Sequence, residues 1–259
     1  MSFTFVAILL AIALFAGMLM CFEIGRRAGV AHLAKNPDGL TKGTGAAEGA
    51  VFALLGLLLA FTFSGAASRF DDRKWFIDTE ANAIGTAYLR IDLLPEEAQA
   101  PLRDLFRRYV DVRATVYQNV EKQDDVTAGL AKGAALQNEI WKQAMAALSL
   151  PGASSQAAIL MTPALNEMID ITGTRQTATR NHPPHVIFWL LAMLALAGAL
   201  LVGYGTSENK DRRWFHHVTF ALAISLSIYV IVDLEYPRLG LIKVDSADQA
   251  LLDVAASMR

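Results

Sequence analysis

Cysteine occurs once in the 259 residues, at Cys21. A single thiol excludes an intrachain disulfide framework and a cysteine-built zinc centre. Charge is scarce: Asp, Glu, Lys and Arg make up 19% of the chain, against roughly 25% in ordinary soluble domains. Neither sign prevails, with 23 Lys and Arg facing 25 Asp and Glu for a net charge of −2. No basic domain is available to neutralise phosphates, which excludes nucleic acid as a partner. The chain has no phosphate loop, nucleophile elbow, dinucleotide fingerprint or His-Glu-x-x-His helix. An enzyme reading has almost nothing to stand on, and no cofactor or metal is called for. Runs of alternating polar and apolar residues are lacking, so an all-α fold is expected.

Apolar residues are in excess, at 54% against about 45–50% in soluble domains. They gather in four charge-free stretches: Phe3 to Phe22, Gly49 to Ala67, Val186 to Tyr204 and Val218 to Val232. A helix needs about 20 apolar residues to cross a bilayer, and Trp214 to His217 extend the shortest run. A cleaved signal peptide wants a basic leader, whereas only Met1 and Ser2 precede this first stretch and Arg26 and Arg27 follow it, so a retained span is expected. The expected order is span one at 1–22, a basic loop at 23–47 and span two at 48–67. A helical aqueous domain follows at 68–185, then span three at 186–206 and a short basic loop at 207–213. Span four at 214–232 and a C-terminal tail at 233–259 complete the chain.

Within the aqueous segment, Leu102, Leu105, Phe106, Tyr109, Val112, Val116 and Val120 keep the three-four rhythm of an amphipathic helix. Val126, Leu130, Ile140, Trp141 and Leu148 suggest a second helix, and Ser154-Ser155 opens a third that Pro163 is expected to kink. The strongest pattern joins membrane and domain. Gly49, Gly56, Phe63, Phe70, Ile77, Ile84 and Ile91 recur every seven residues, and no proline interrupts Glu48 to Leu94. This predicts one helix of roughly 70 Å, continuous from span two into the domain. A seven-residue seam implies a packed partner, either the chain's own helices or further copies of it. Small residues repeat along the same span at Gly45, Gly49, Ala53, Gly56, Ala60, Ser64 and Ser68, and on span three at Ala195, Ala199 and Gly203. Such spacing lets helices approach closely in lipid.

Arg26, Arg27, Lys35, Lys42, Lys210, Arg212 and Arg213 lie in the two short loops, while the N-terminal tail has no basic residue. By the positive-inside rule this charge step places the loops in the cytosol and the domain outside. Glu23 and Glu48 are expected as solvated span ends. Asp71, Asp72, Asp78, Glu80, Asp233 and Glu235 lack EF-hand spacing and are expected as an acidic rim pairing with Arg69, Arg73, Lys74 and Arg238. His182, His185, His216 and His217 are expected to pack at interfaces rather than bind metal. Glu80 or Asn82 is expected to meet Arg175 or Arg180, and Gly85 to mark a close helix approach.

Several segments together carry a resemblance. They are Arg69-Phe-Asp71, Glu80-Ala-Asn-Ala-Ile-Gly-Thr-Ala-Tyr88, Leu93-Leu-Pro95, Arg108-Tyr-Val110, Asn166-Glu-Met-Ile-Asp170 with Arg175, and Asp233-Leu-Glu-Tyr-Pro-Arg-Leu-Gly240. The chain resembles the bacterial bestrophin-like family over nearly its whole length. Glu80, Asn82, Gly85, Tyr88, Arg175, Asp233, Pro237 and Gly240 are its signature residues here, with Glu235 where the pattern often has Asp. The name implies kinship with bestrophins, oligomeric anion channels whose second span lines the pore. That kinship makes Phe52, Gly56, Phe63 and Phe70 the pore-lining candidates and small anions the candidate permeants. It also implies a cytosolic domain, against the charge step. The expected function is a homo-oligomeric ion channel in the bacterial plasma membrane. The alternative is a non-conducting envelope protein whose helical domain binds a partner or senses the envelope.

Overall fold

The structure is a computed structural model and describes residues 2–35, 44–116, 123–208 and 214–259. Val120 and the loop cations Lys42, Lys210, Arg212 and Arg213 lie outside the described residues. The described chain is helical and contains no strand. Its helices are α1 (Phe3–Leu33), α2 (Thr44–Leu89), α3 (Glu96–Thr115), α4 (Gln123–Leu148), α5 (Ser155–Arg180), α6 (His185–Gly205), α7 (Trp214–Glu235) and α8 (Asp245–Ser257). Four helical stretches are long and apolar enough to cross a membrane. They contain α1, the first part of α2, α6 and α7, as the apolar runs require.

The helix ends follow local chemistry. The Ser2 hydroxyl accepts the Phe5 amide at 3.4 Å and starts α1. That helix continues past Phe22 to Leu33, carried by Glu23 pairing with Arg26 and Arg27 at 2.8 Å. These i,i+3 and i,i+4 pairs make helix of what reads as loop. Pro184 caps α6, where a missing amide costs nothing. Pro163 lies inside α5, which runs through it, and Pro101 lies inside α3, which begins just after Pro95. α2 is 46 residues long and closes in a 3-10 turn over Arg90–Leu93.

The chain divides into two compact units. The first comprises Met1–Ser68 and His182–Tyr236; the second comprises Arg69–Asn181 and Pro237–Arg259. The segment 233–259, expected as one tail, is therefore divided, and most of it is core-forming.

The first unit is held by close backbone approach. Ala195 and Ala199 of α6 are fully buried. A methyl group added to Gly203 would overlap the carbonyl oxygen of Phe22, and one added to Gly25 would overlap that of Leu200. Small residues here let α1 and α6 meet backbone to backbone, as lipid-embedded helices do. Met18, Phe22, Leu55, Leu191 and Ala221 fill the rest of this core.

The second unit packs α2, α3, α4, α5 and α8 around Ile77, Ile84, Ile91, Phe106, Tyr109, Ile140, Met161, Leu165, Met168 and Leu251. This settles the seven-residue seam differently from expectation. Its lower members Ile77, Ile84 and Ile91 are core, whereas Gly49, Gly56 and Phe63 are exposed. The coincidence of period hides two environments, because a straight helix drifts about 20° per heptad and neighbours differ along it. Gly85 marks no close approach either: a methyl group there would touch nothing within 4 Å.

Candidate functional site

Two features stand out. The first is the uncovered face of α2. In its apolar half, Gly49, Ala53, Gly56, Ala60, Ser64 and Ser68 are all exposed, three or four residues apart. Among the described residues, no heavy atom would meet a methyl group added to Gly45, Gly49 or Gly56 within 4 Å. Phe63 flanks this ridge and is 49% exposed. The opposite face carries Leu55, Leu58 and Leu59 into the unit's own core. In the second unit, Asp71, Trp75, Asp78, Asn82, Thr86 and Leu89 of α2 are exposed as well.

Of the four aromatic and glycine candidates, Gly56 and Phe63 lie on or beside this ridge. Phe52 does not. It packs against Gly198, and its ring meets Phe220 edge-on at 5.3 Å. Phe52 therefore belongs to the packing of span two on the chain's own helices, because it lies on the side of α2 that faces α6 and α7. Phe70 is half-buried against the second unit's core, with Lys74 over its ring at 5.8 Å.

The second feature is a buried cluster of charge in the second unit. Glu80 is 0% exposed and receives two bonds from Arg113, at 2.5 and 3.1 Å, and one from Arg175 at 2.6 Å. Arg175 reaches on to Asp248 at 3.2 Å, and Asp248 takes both arms of Arg238 at 2.8 and 2.9 Å. Burial pushes the Glu80 carboxyl up, but the Arg113 and Arg175 guanidiniums more than offset this and hold it below the usual carboxylate range. Beside it, the Tyr109 hydroxyl contacts Thr172 at 3.1 Å and accepts from Gln137 at 2.8 Å. Burial, then the Glu80 charge, pushes that phenol up to about 12, so it stays a neutral hydrogen-bonding group. Three guanidiniums and two carboxylates in a packed interior hold each other in fixed geometry.

The remaining signature residues distribute around this cluster and the end of α7. Tyr88 is buried, donates to the Met258 carbonyl at 3.4 Å and carries the Arg103 guanidinium over its ring at 4.9 Å. Asn82 and Arg180 are exposed, so of the expected pairings only Glu80 with Arg175 is present. Pro237 and Gly240 are buried in the short segment that the Val244 amide closes onto the Pro237 carbonyl at 3.3 Å. Asp233 and Glu235 are fully buried rather than part of a solvated rim. Tyr229 donates to Asp233 at 3.3 Å, and His182 lies 3.7 Å from Glu235 with its ring stacked on Tyr236 at 4.4 Å. Asp71, Asp72 and Asp78 are exposed as expected. Among the described residues no group of three His, Cys, Asp or Glu side chains converges as metal ligands do. Glu48, read as a solvated end, packs its carboxylate against Gly205 instead. His217 stacks flat on Phe22 at 4.4 Å, in keeping with interfacial packing.

Sequence reasoning missed Arg113 as a partner of Glu80, and Asp248 as the carboxylate shared by Arg175 and Arg238. One signal was available for Arg113. It stands four residues after Tyr109 on the apolar face of α3, where a charge needs a buried counterion.

An all-helical chain with four membrane-length helices and a second helical unit defines a class of multi-pass membrane protein. Residues 12–249 match the family described as the Bestrophin-like domain, and the chain belongs to that family. Solved structures share the fold. One point variant of a bacterial bestrophin homolog from Klebsiella pneumoniae aligns with a TM-score of 0.68 at 16% identity, covering 94% of this chain and 99% of that one. A second variant of the same homolog gives a TM-score of 0.68 at 16% identity, covering 95% of this chain and 98% of that one. A structure described only as a membrane protein gives 0.67 at 16%, covering 94% of this chain and 98% of that one. No curated protein matches the sequence.

Proposed function

We propose that this chain assembles with copies of itself into an ion channel of the bacterial plasma membrane. The uncovered face of α2 would lie toward the axis. The observation that carries this reading is what that face is made of. Helix faces turned to lipid are covered with large apolar side chains, as α1 is with Leu9, Leu10, Ile12 and Met20. The α2 face also exposes Leu54, Leu57 and Phe61, but beside them runs a stripe of small residues, Gly49, Ala53, Gly56, Ala60, Ser64 and Ser68. Such residues suit close helix contact or a hydrated lining better than lipid tails. Phe63 flanks the ridge and would narrow a passage as an apolar ring. Gly56 and Ser64 would line it nearby, and Phe70 would stand below as a half-covered neighbour.

The second unit would be the aqueous domain inserted between spans two and three, completed by Pro237–Arg259. The charge step across the first span favours an extracytoplasmic domain. A periplasm-dependent phosphatase fused after Arg259 should then be active, whereas an inactive fusion of normal abundance reverses the orientation.

The resemblance favours small anions as permeants. A second reading concerns the sign of the ion. In the second unit α2 exposes Asp71 and Asp78, with half-buried Lys74 between them, and rings of carboxylates favour cations. Planar-bilayer recordings in asymmetric KCl test both. Phe63→Ala should raise single-channel conductance, on the order of twofold or more for loss of a hydrophobic constriction. The reversal potential then reads the ion. No current from wild type or variant would sink the channel reading.

A further inference from the structure

We propose that the C-terminal helix α8 is a latch, and that its seating is transmitted through Arg175 to residues 80–93, the end of α2 and its closing 3-10 turn. The proposal concerns the second unit alone and does not depend on conduction.

α8 has 13 residues, a length at which an isolated helix is marginal in water. Ala247, Leu251, Ala255 and Met258 are buried at three-four spacing, while Asp245, Gln249 and Asp253 face outward. Its stability therefore comes from docking, and the docking contacts converge on one place. Asp248 projects into the buried charge cluster and is gripped by Arg238, ten residues earlier in the chain, and by Arg175 of α5. Met258 offers its carbonyl to Arg107 at 2.7 Å and to Tyr88 of α2 at 3.4 Å. The outer pair Arg259 with Asp111, at 3.5 Å and exposed, adds little.

The geometry at Arg175 makes this more than a packing contact. One terminal nitrogen, Nη1, holds Glu80 of α2; the other, Nη2, holds Asp248 of α8. Glu80 is fully buried and shared with Arg113. α8 cannot leave without removing one of two carboxylates that face three guanidiniums, so Arg175 must re-pair. Tyr88 loses an acceptor in the same event. Two separate contacts thus tie the C-terminal segment to Glu80 and Tyr88, eight residues apart on α2. A small docked element with its own contacts is the kind of unit that opens below the global unfolding limit. A contiguous charge network is a physical route by which that opening is felt elsewhere.

Amide hydrogen exchange on the full-length protein in nanodiscs tests this. Asp248→Asn removes the charge and keeps the shape. Exchange in 245–257 should rise about tenfold or more, as expected when one partner of a largely buried pair is lost. Exchange in 80–93 should rise with it, roughly threefold or more, while α6 and α7 keep wild-type protection. Leu251→Ala unseats α8 by packing alone, leaves every charge in place and should give the same pattern. If α8 loosens in both variants while 80–93 stays at wild-type protection, the transmission is wrong. If neither variant loosens α8, the latch is wrong.

Discussion

Gly203→Ala will separate α1 from α6 and cost about 3 kcal/mol, at the upper end of the range for overpacked interiors. The added methyl meets backbone, not a movable side chain: the carbonyl group of Phe22 stands where it must go. Gly25 makes the reciprocal contact with the Leu200 carbonyl, so neither helix can yield without breaking the other's fit. Thermal unfolding in detergent should show a fall in Tm of roughly 6 °C or more. Gly56→Ala is the contrasting variant. Among the described residues nothing lies within 4 Å of the new methyl, and alanine is worth about 1 kcal/mol over glycine in a helix. Stability of the single chain should hold or rise, and any loss would have to come from a neighbouring copy closing on that face. Equal losses in the two variants would contradict this division of the glycines.

Glu80→Ala will cost about 3–5 kcal/mol, the range for removing one partner of a buried ion pair. Arg113 and Arg175 are 2% and 3% exposed, and both lose their shared carboxylate. The same cluster sets a pH dependence. Glu80 is held below its ordinary range when folded, so its contribution is complete above the unfolded pKa of about 4.3. It is lost as pH falls further, through the lower folded value. Denaturant midpoints should therefore be flat for this group from neutral pH to about 5 and fall below about 4. In Glu80→Ala that acid loss should shrink. An unchanged acid profile in the variant would show that other carboxylates govern it.

Much of the fold was legible because lipid imposes a simple rule. Long charge-free runs between Pro183-Pro184 and charged loops can only be helices, and the four spans followed. The packing face of α6 was legible too, since Ala195, Ala199 and Gly203 advertise close approach, though not that α1 is what meets it. What misled was periodicity read without environment. The Gly49-to-Ile91 repeat runs along α2 into its closing 3-10 turn, but Ile77, Ile84 and Ile91 face the chain's own core while Gly49, Gly56 and Phe63 face outward. Gly85 resembled a packing glycine and touches nothing. Phe52 resembled a pore aromatic and packs on Gly198. Pairings such as Glu80 with Arg113, or Arg175 with Asp248, join residues far apart in the chain, and no local spacing reveals them.

The central claim is that the uncovered face of α2 lies on the axis of a homo-oligomer. Symmetry-resolved electron cryomicroscopy of the full chain in nanodiscs tests it most directly. The account predicts a closed ring of subunits with α2 innermost, Gly56 and Ser64 toward a central opening and Phe63 at its narrowest level. A monomer, or a dimer in which the Gly49-to-Ser68 face meets lipid or a single partner helix with no opening, would contradict it.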